Sequence, residues 1–288
     1  MHRRKGGQIL VNELVQLAAA AYHDGEIRSV GSLELKGIAN PVRVFEVDWR
    51  PPTGATMQLP AALRAVPEVA YVGRVVEREE IRRAWADAVA GARQTLLICG
   101  EPGIGKTRLA THGAFAARET GAAILCGTSN AELAVPYQPW IEIIGHAVTH
   151  GDRDVVAAQL ALSADQLTTL VPSLGTGGAP VADAETERYR LFDAVGRLLL
   201  ALAEVHPLFV ILDDLHWADR PSLLLLRHLT RACEHSPILF VCTYRDSDRT
   251  AGRTRCATRS LRCAASAASR RLCWRACASR TWSICSKR

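Results

Sequence analysis

No hydrophobic run in this chain is long enough to cross a membrane. The longest apolar stretch, residues 198–212, is interrupted by Glu204, His206 and Pro207, whereas a membrane-spanning helix needs about 20 apolar residues in succession. The pattern of a signal peptide is missing too, because polar side chains break the apolar segment that follows the basic residues 2–5. With 48% hydrophobic and 22% charged residues, the composition is that of a soluble globular protein, for which we expect a cytoplasmic location and no membrane partner.

The cysteines do not indicate a disulfide framework. Four of the nine, Cys99, Cys126, Cys233 and Cys242, are scattered through the first 250 residues, mostly in predicted strands. Cysteines in such positions are typically small buried hydrophobic residues. The other five lie in residues 251–288.

Acidic residues are absent from residues 251–288, which contain nine Arg and one Lys. The charge of this segment is +10 and that of the whole chain is +6, so residues 1–250 carry −4. A segment of this composition is not expected to bury a hydrophobic core, and its like charges repel one another. We therefore expect a disordered basic tail, which we place at 249–288.

A glycine-rich segment at 100–107 matches the phosphate-binding pattern G-x-x-x-x-G-K-[ST] at every required position. An apolar run at 95–99 precedes it and a helical pattern follows it, which is the context that the pattern requires. Glycines let the backbone N–H groups of a loop turn inward around an anion, and the helix N-terminus adds its own donors. The segment therefore predicts a site for a nucleoside triphosphate.

Two side chains of this segment have specific roles in that interpretation. Lys106 is expected to reach the β- and γ-phosphates, and the Thr107 hydroxyl is expected to bind Mg2+. The predicted cofactors are thus ATP and Mg2+. The loop residues expected to contact the nucleotide are Gly100, Glu101, Pro102, Gly103, Ile104, Gly105, Lys106, Thr107 and Arg108.

A pair of aspartates further along the chain completes the prediction. The apolar residues 208–212 predict a buried strand, and Asp213 and Asp214 follow it directly. Such a strand delivers a carboxylate beside the phosphate loop, where it can hold the hydration shell of Mg2+. We assign Asp213 to the metal and Asp214 to orienting or deprotonating the attacking water.

Two polar residues after this pair, His216 and Asp219, have structural explanations that are simpler than a role in the reaction. His216 is either a structural hydrogen-bonding residue or a catalyst, and the first is the more common role of a single histidine. Asp219 precedes Arg220 and Pro221 and is better explained as a helix N-cap, with the proline in the first turn.

Three further segments carry a family resemblance: YVGRVVERE at 71–79, ELAVPYQPWIEII at 132–144 and LDDLHWADRPSLLLL at 212–226. They resemble the signal-transduction ATPases with numerous domains (STAND), a class of AAA-related P-loop NTPases that includes large LuxR-type transcriptional regulators and cyclase-ATPase fusions. The resemblance implies a three-layer α/β P-loop ATPase domain with a parallel sheet over residues 68–248. It also implies slow ATP hydrolysis that is used as a conformational switch.

The resemblance implies roles for two further places. In the family, the segment that corresponds to Val72, Gly73 and Arg74 lies against the adenine, although a helix N-terminal turn explains the same residues. A polar residue and an arginine at the end of the fourth strand sense the γ-phosphate, which points to the segment ending in Arg245. A guanidinium suits this task because it forms charge-assisted pairs with phosphate oxygens, and a surface salt bridge is the alternative role for Arg245.

Residues 1–50 resemble a different family. Apolar residues at helical spacing in 8–22 predict a helix, and the alternating segments 27–35 and 41–48 predict a β-hairpin. Together they are similar to the C-terminal end of a class III adenylate/guanylate cyclase catalytic domain. The metal-binding aspartates and the transition-state Asn/Arg pair of that family have no match here, so we expect a remnant with an exposed strand edge and no cyclase activity.

Proline content and hydrophobic periodicity predict the remaining linker, helices and strands. Four prolines predict a linker at 51–67. The predicted helices are 77–89, 106–119, one after Pro139, and 186–205, and the predicted strands are 95–99, 122–126, 208–212 and 238–243.

The basic tail has three interpretations. An arginine-rich segment can bind nucleic acid through phosphates, and cysteines can bind zinc, but only Cys273 and Cys277 lie close together, which does not give two paired ligand sets. We favour translation in the wrong reading frame, because the STAND resemblance ends within a few residues of Asp248. The fifth strand, helical lid and DNA-binding domain of the family have no recognisable match, so we expect an incomplete ATPase whose phosphate-loop strand is a bare sheet edge.

These patterns indicate an Mg-ATP-binding ATPase module of a signalling or transcriptional regulator, with weak hydrolysis as its activity. Two alternatives stay open: a truncated fragment that at most binds nucleotide, and a nucleic-acid-binding protein acting through the tail. The expected partners are the nucleotide and either other proteins or further copies of the chain. Nucleic acid is expected only for the intact relatives, or weakly through the tail.

Overall fold

The computed structural model divides into two compact units, Met1–Ala55 and Thr56–Arg288. Each unit contains its own β-sheet. The residues that the structure describes are 9–12, 15–16, 27–33, 41–47, 57–64, 73–131, 135–174, 183–245 and 269–273.

The first unit contains a three-stranded antiparallel sheet. Its strands, in the spatial order β1-β3-β2, are β1 (Ile9–Asn12), β2 (Ile27–Leu33) and β3 (Val42–Val47). The predicted hairpin is confirmed, with Leu33 opposite Val42. The helix predicted over 8–22 is wrong for residues 9–12, which pair with β3, because contacts with a neighbouring strand override a weak local preference for helix.

The second unit alternates helices and strands along the chain. Its strands are β4 (Gln94–Cys99), β5 (Ala123–Thr128), β6 (Leu208–Asp213), β7 (Ile238–Tyr244) and β8 (Ser269–Cys273). Its helices are α1 (Ala61–Arg64), α2 (Val75–Val89), α3 (Lys106–Glu119), α4 (Gln138–His150), α5 (Arg153–Leu167), α6 (Ala184–Val205) and α7 (Arg220–Ala232). The helices and strands predicted from periodicity within 68–248 are confirmed, with bounds that shift by a few residues. Among the described residues, none of the helices combines the length and the apolar character that crossing a bilayer requires.

The described strands of this unit form one parallel sheet in the order β5-β6-β7-β4-β8. Successive side chains of a strand point to opposite faces of a sheet, and neighbouring residues of β4 accordingly enter separate cores. Leu97 lies in a cluster with residues of α4, α6 and α7, whereas Leu96 lies in a cluster with residues of α2 and α3. The predicted three-layer α/β fold with a parallel sheet is confirmed.

A strand from the basic tail, β8, lies beside β4, with Thr95 opposite Ser269. The expectation that the phosphate-loop strand is a bare edge is therefore wrong, and so is disorder for residues 269–273. The physical reason is that the backbone of β4 offers a row of N–H and C=O groups that an extended segment can pair whatever its side chains are. The rest of the tail lies outside the described residues.

The cysteines of this unit are not all alike. Cys126, Cys233 and Cys242 are buried free thiols, as expected, and burial raises the pKa of Cys242 to about 12, so that this thiol stays protonated and unreactive at neutral pH. Cys99, in contrast, is disulfide-bonded, which corrects the expectation that it is an ordinary buried thiol. Local sequence could not indicate this state, because it depends on how the chain packs around β4.

About half of the proline-rich stretch, residues 57–64, belongs to the second unit and packs into its cores. Met57 and Leu63 are 6% and 3% exposed, and the two side chains join the cores on opposite faces of the sheet. The carbonyl oxygen of Gln58 lies 2.7 Å from Nε2 of His146 on α4. The linker predicted at 51–67 therefore does not extend through residues 57–64, because apolar side chains anchor them.

Gly127 in β5 lets the backbone of α4 approach the sheet closely. A Cβ at this position would lie 2.0 Å from the carbonyl oxygen of Pro139, a backbone atom that cannot rotate away. We expect Gly127→Ala to lower the free energy of unfolding by about 1–3 kcal/mol, as overpacking does, measured by urea denaturation. Gly145→Ala on α4 is the control, because no atom from outside its own stretch of helix lies within 4 Å of the added Cβ and alanine favours helix; equal destabilisation by both would contradict the prediction.

Candidate functional site

The segment 100–107 joins the end of β4 to the start of α3. Its backbone is left-handed at Gly103 and Gly105, where φ is 75° and 93°, and glycine adopts this conformation without the strain that a Cβ causes. Because α3 begins at Lys106, its first backbone N–H groups lie beside the loop, where they can bind an anion. The loop thus has the backbone geometry that phosphate binding requires.

The side chain of Lys106 folds into this loop. Its Nζ donates to the carbonyl oxygens of Gly100 and Glu101, at 3.1 and 2.9 Å, and the residue is 6% exposed. Burial lowers the pKa of Lys106; the negative charge of Asp214 opposes this effect and the positive charge of Arg245 adds to it. Asp214 and Arg245, predicted from separate segments of the chain, therefore lie close enough for their charges to act on the Lys106 amine.

The carboxylate of Asp213 accepts hydrogen bonds from two threonines. Thr107 Oγ1 donates to Oδ2 at 2.9 Å, and Thr243 Oγ1 donates to Oδ1. Burial raises the pKa of Asp213, and the hydrogen bonds from Thr243 and Thr107 lower it. The residue that ends β6 is thereby tied both to the phosphate loop and to the neighbouring strand β7.

The donors at this point fit Mg2+. Hydroxyl and carboxylate oxygens, here from Thr107 and Asp213, are the hard ligands that Mg2+ prefers, and it usually takes only one or two of them from the protein, with water and phosphate oxygens completing the shell. Within the described parts of the chain, no group of three or more His, Cys, Asp or Glu residues could hold a metal ion. The fit is therefore to a magnesium site completed by a substrate and not to an all-protein cage.

Asp214 has a left-handed backbone, with φ of 54°, which costs a non-glycine residue about 1–3 kcal/mol and persists only where the surroundings hold it. Its N–H donates to Thr243 Oγ1 at 2.9 Å, and the N–H of Leu215 donates to the Thr243 carbonyl at 2.9 Å. Thr243 thus contacts both aspartates. This bridging role was not predicted, and no local sequence signal could have found it, because it depends on the pairing of Leu212 with Cys242, which puts the next residue of β7 beside Asp213.

His216 and Asp219, for which structural roles were the simpler prediction, lie close to the turn at Asp214. The side chain of His216 is 1% exposed, and its Nδ1 lies 3.6 Å from Asp214 Oδ1. Asp219 is the N-cap of α7, as predicted, and accepts from the N–H of Ser222 at 3.2 Å. It also accepts from the N–H of Tyr137 at 3.2 Å, so it fixes the start of two helices.

The segment before α2 lies against the phosphate loop. Arg74 Nη2 donates to the carbonyl oxygen of Ile104 at 2.7 Å. Gly73 and Arg74 both have positive φ, 85° and 54°, and α2 follows at once. The segment is therefore both a helix N-terminal turn and a neighbour of the loop, while Val72 lies outside the described residues.

The remaining predicted contacts lie at the surface around the loop. Glu101, Pro102 and Arg108 are exposed, and Ile104 is half-buried. Arg245 follows β7 directly and is half-buried as well, with its charge within electrostatic reach of Lys106.

Taken in spatial order, β4 carries the phosphate loop, β7 carries Thr243 and β6 carries Asp213. A glycine-rich loop with a lysine and a threonine, beside a buried strand that ends in a carboxylate, defines a P-loop domain for nucleoside triphosphates. A family model described as the AAA ATPase domain matches residues 70–241, and the chain belongs to this family. It therefore carries an ATP-binding ATPase module, whereas the STAND and LuxR-type assignments and the cyclase remnant stay predictions.

Comparison with individual proteins adds little about function. An uncharacterised protein of Rhizobium meliloti (strain 1021) is 26% identical over 236 residues, covering 75% of this chain and 22% of that protein; the chain thus spans about a fifth of the length of this curated relative. Drosophila ORC bound to AT-rich DNA and Cdc6 is 13% identical with a TM-score of 0.34, over 63% of this chain and 52% of that one. C. elegans PCH-2 is 13% identical with a TM-score of 0.35, over 85% and 64%. Likeness at this level says nothing about the activity of this chain.

Proposed function

We propose that the second unit binds Mg-ATP and hydrolyses it slowly, as the ATPase switch of a signalling or transcriptional regulator. The observation that carries the proposal is that Lys106, Thr107 and Asp213 lie together at the carboxyl ends of the parallel strands. They come from two distant segments, and Thr107 donates directly to Asp213. A metal ligand pair beside a phosphate-binding lysine is what a triphosphate site needs.

Each side chain has a separate task in this proposal. Lys106 would bind phosphate oxygens through charge-assisted hydrogen bonds. Thr107 and Asp213 would hold Mg2+, which when bound stabilises negative charge on the phosphates. Asp214, whose side chain is 32% exposed, would orient or deprotonate the attacking water.

The regulatory part of the proposal rests on the STAND resemblance. A switch requires that ATP and ADP favour different conformations of the protein. Hydrogen exchange of the full chain, compared between a non-hydrolysable ATP analogue and ADP, tests this part. Identical exchange in the two states would remove the switch and leave only the ATPase.

The central test is calorimetric titration of the full chain with ATP in Mg2+ and in EDTA, followed by phosphate-release assays. We expect binding that strengthens with Mg2+ and slow turnover. Absence of ATP binding would overturn the proposal. Binding without turnover would favour the alternative in which the chain binds nucleotide but does not hydrolyse it.

The proposed sensor role of Arg245 makes a separate prediction. A guanidinium that contacts the γ-phosphate contributes most when charge develops during hydrolysis, so Arg245→Ala should lower kcat on the order of tenfold, the loss of one charged hydrogen bond. The affinity for ADP, which lacks that phosphate, should stay the same. Steady-state kinetics and ADP titration check both halves, and an unchanged kcat would favour the alternative of a surface salt bridge.

A further inference from the structure

The turn that follows β6 fixes the backbone of Asp214 firmly. The N–H of Asp214 donates to Thr243 Oγ1, and the N–H of Trp217 donates to the Asp214 carbonyl at 3.0 Å, which closes the turn. These contacts hold the left-handed backbone in place. They do not hold the carboxylate, which can still rotate about its own side-chain bonds.

A buried imidazole lies beside that carboxylate. His216 Nδ1 is 3.6 Å from Asp214 Oδ1, and the exposed fraction of the His216 side chain is 1%, against 32% for Asp214. The His216 ring packs against the ring of Trp217, with centroids 4.9 Å apart and the planes inclined by 45°. Packing thus fixes the imidazole, while the carboxylate beside it faces outward.

We propose that His216 is a positioning residue, whose buried imidazole presents an N–H to the Asp214 carboxylate and holds that carboxylate toward the reacting phosphate. The inference rests on the proposed function, in which Asp214 acts on the attacking water. A separation of 3.6 Å is longer than a hydrogen bond, so the contact is electrostatic, and contacts of this kind commonly shorten in the reacting complex. A base oriented by a third group is a recurring arrangement in catalysis.

A purely structural histidine would behave differently from a positioning one under two substitutions. His216→Leu keeps the bulk of the ring and removes its N–H groups, whereas His216→Asn places an amide N–H near the position of Nδ1. We expect His216→Leu to lower kcat about tenfold with the Kd for ATP changed less than about twofold, because orientation acts on the reacting geometry and not on ground-state binding. His216→Asn should recover most of the lost rate, even if it is the less stable of the two.

The control is His228→Leu on α7. His228 is also partly buried in an aromatic contact, with Phe192 at 5.6 Å between ring centroids, and has no role in the proposed site. The variant His228→Leu should leave kcat unchanged. Thermal unfolding of His216→Leu, His216→Asn and His228→Leu separates loss of fold from loss of rate. A kcat in His216→Leu equal to that of the unmodified chain would overturn the inference.

The decisive comparison repeats His216→Leu in the Asp214→Asn background. If His216 acts through Asp214, replacing His216 should have almost no further effect in this background, because both substitutions remove the same interaction. Asp214→Asn leaves little turnover to compare. The unmodified chain, the two single variants and the double variant are therefore also compared by their affinity for ADP with Mg2+ and aluminium fluoride, which mimics the transferring phosphoryl group. Equal losses in both backgrounds would overturn the inference, whereas a chain that fails to bind ATP at all would overturn the proposed function first.

Discussion

Replacing Lys106 by alanine is expected to weaken ATP binding by a factor of about 100 or more. Its Nζ lies inside the loop and already donates to the carbonyls of Gly100 and Glu101, so it is placed to move onto phosphate oxygens. Two charge-assisted hydrogen bonds to phosphate are worth about 3 kcal/mol or more together, which corresponds to a factor of this size. Isothermal titration with ATP measures the loss.

The fold should tolerate this substitution. Lys106 is buried and its amine is desolvated, so its removal takes away a costly buried charge along with its hydrogen bonds. Thermal unfolding without nucleotide should therefore change little. Arg82→Ala is the control for charge alone, because Arg82 is an exposed cation on α2 paired with Glu79; unchanged ATP affinity in Lys106→Ala would remove the phosphate-binding role of the loop.

Asp214→Asn is expected to spare ATP binding and to lower kcat by a factor of about 100 or more, the usual contribution of a positioned base. Asparagine has the same shape, and the contact that orders this residue, N–H to Thr243 Oγ1, uses the backbone. The local structure should thus survive while the carboxylate is lost. Phosphate release under saturating ATP measures the change.

An exposed aspartate provides the control for Asp214→Asn. Asp193 on α6 forms an ion pair with Arg197 and its side chain is 60% exposed, so Asp193→Asn should alter neither binding nor turnover. If Asp214→Asn kept the turnover of the unmodified chain, the role of this residue in activating water would be wrong. If it lost ATP binding as well, Asp214 would belong to the binding site and not to the reaction.

The candidate site could be predicted from sequence where its parts are contiguous. The loop 100–107 carries its glycines, lysine and threonine within one stretch, and Asp213 directly follows an apolar strand. The three-layer fold followed from the same alternation of apolar strands and amphipathic helices. Local patterns of this kind depend on neighbours in the chain, and the structure confirms the fold that they predict, while the roles of the site residues stay predictions.

What sequence could not supply is which segments pair in space. Thr243 gained its contacts with two aspartates only because β7 lies beside β6. Residues 269–273 became a strand because β4 had a free edge, although their composition argued against structure. Residues 9–12 became a strand for the same reason, in spite of helical spacing, since pairing between distant segments outweighs local preference.

The position of Thr243 links the chemistry of the site to the order in which the sheet is assembled. A slip of β7 by one residue would replace its hydroxyl by the side chain of Cys242 or Tyr244 and turn every side chain of the strand to the opposite face. A thiol cannot replace both hydrogen bonds well, and the hydroxyl of a phenol lies at the far end of its ring and not beside the backbone. Mispaired chains would therefore lack the magnesium ligand geometry. The fraction of a preparation that binds ATP would then equal the fraction of molecules whose strands have paired correctly.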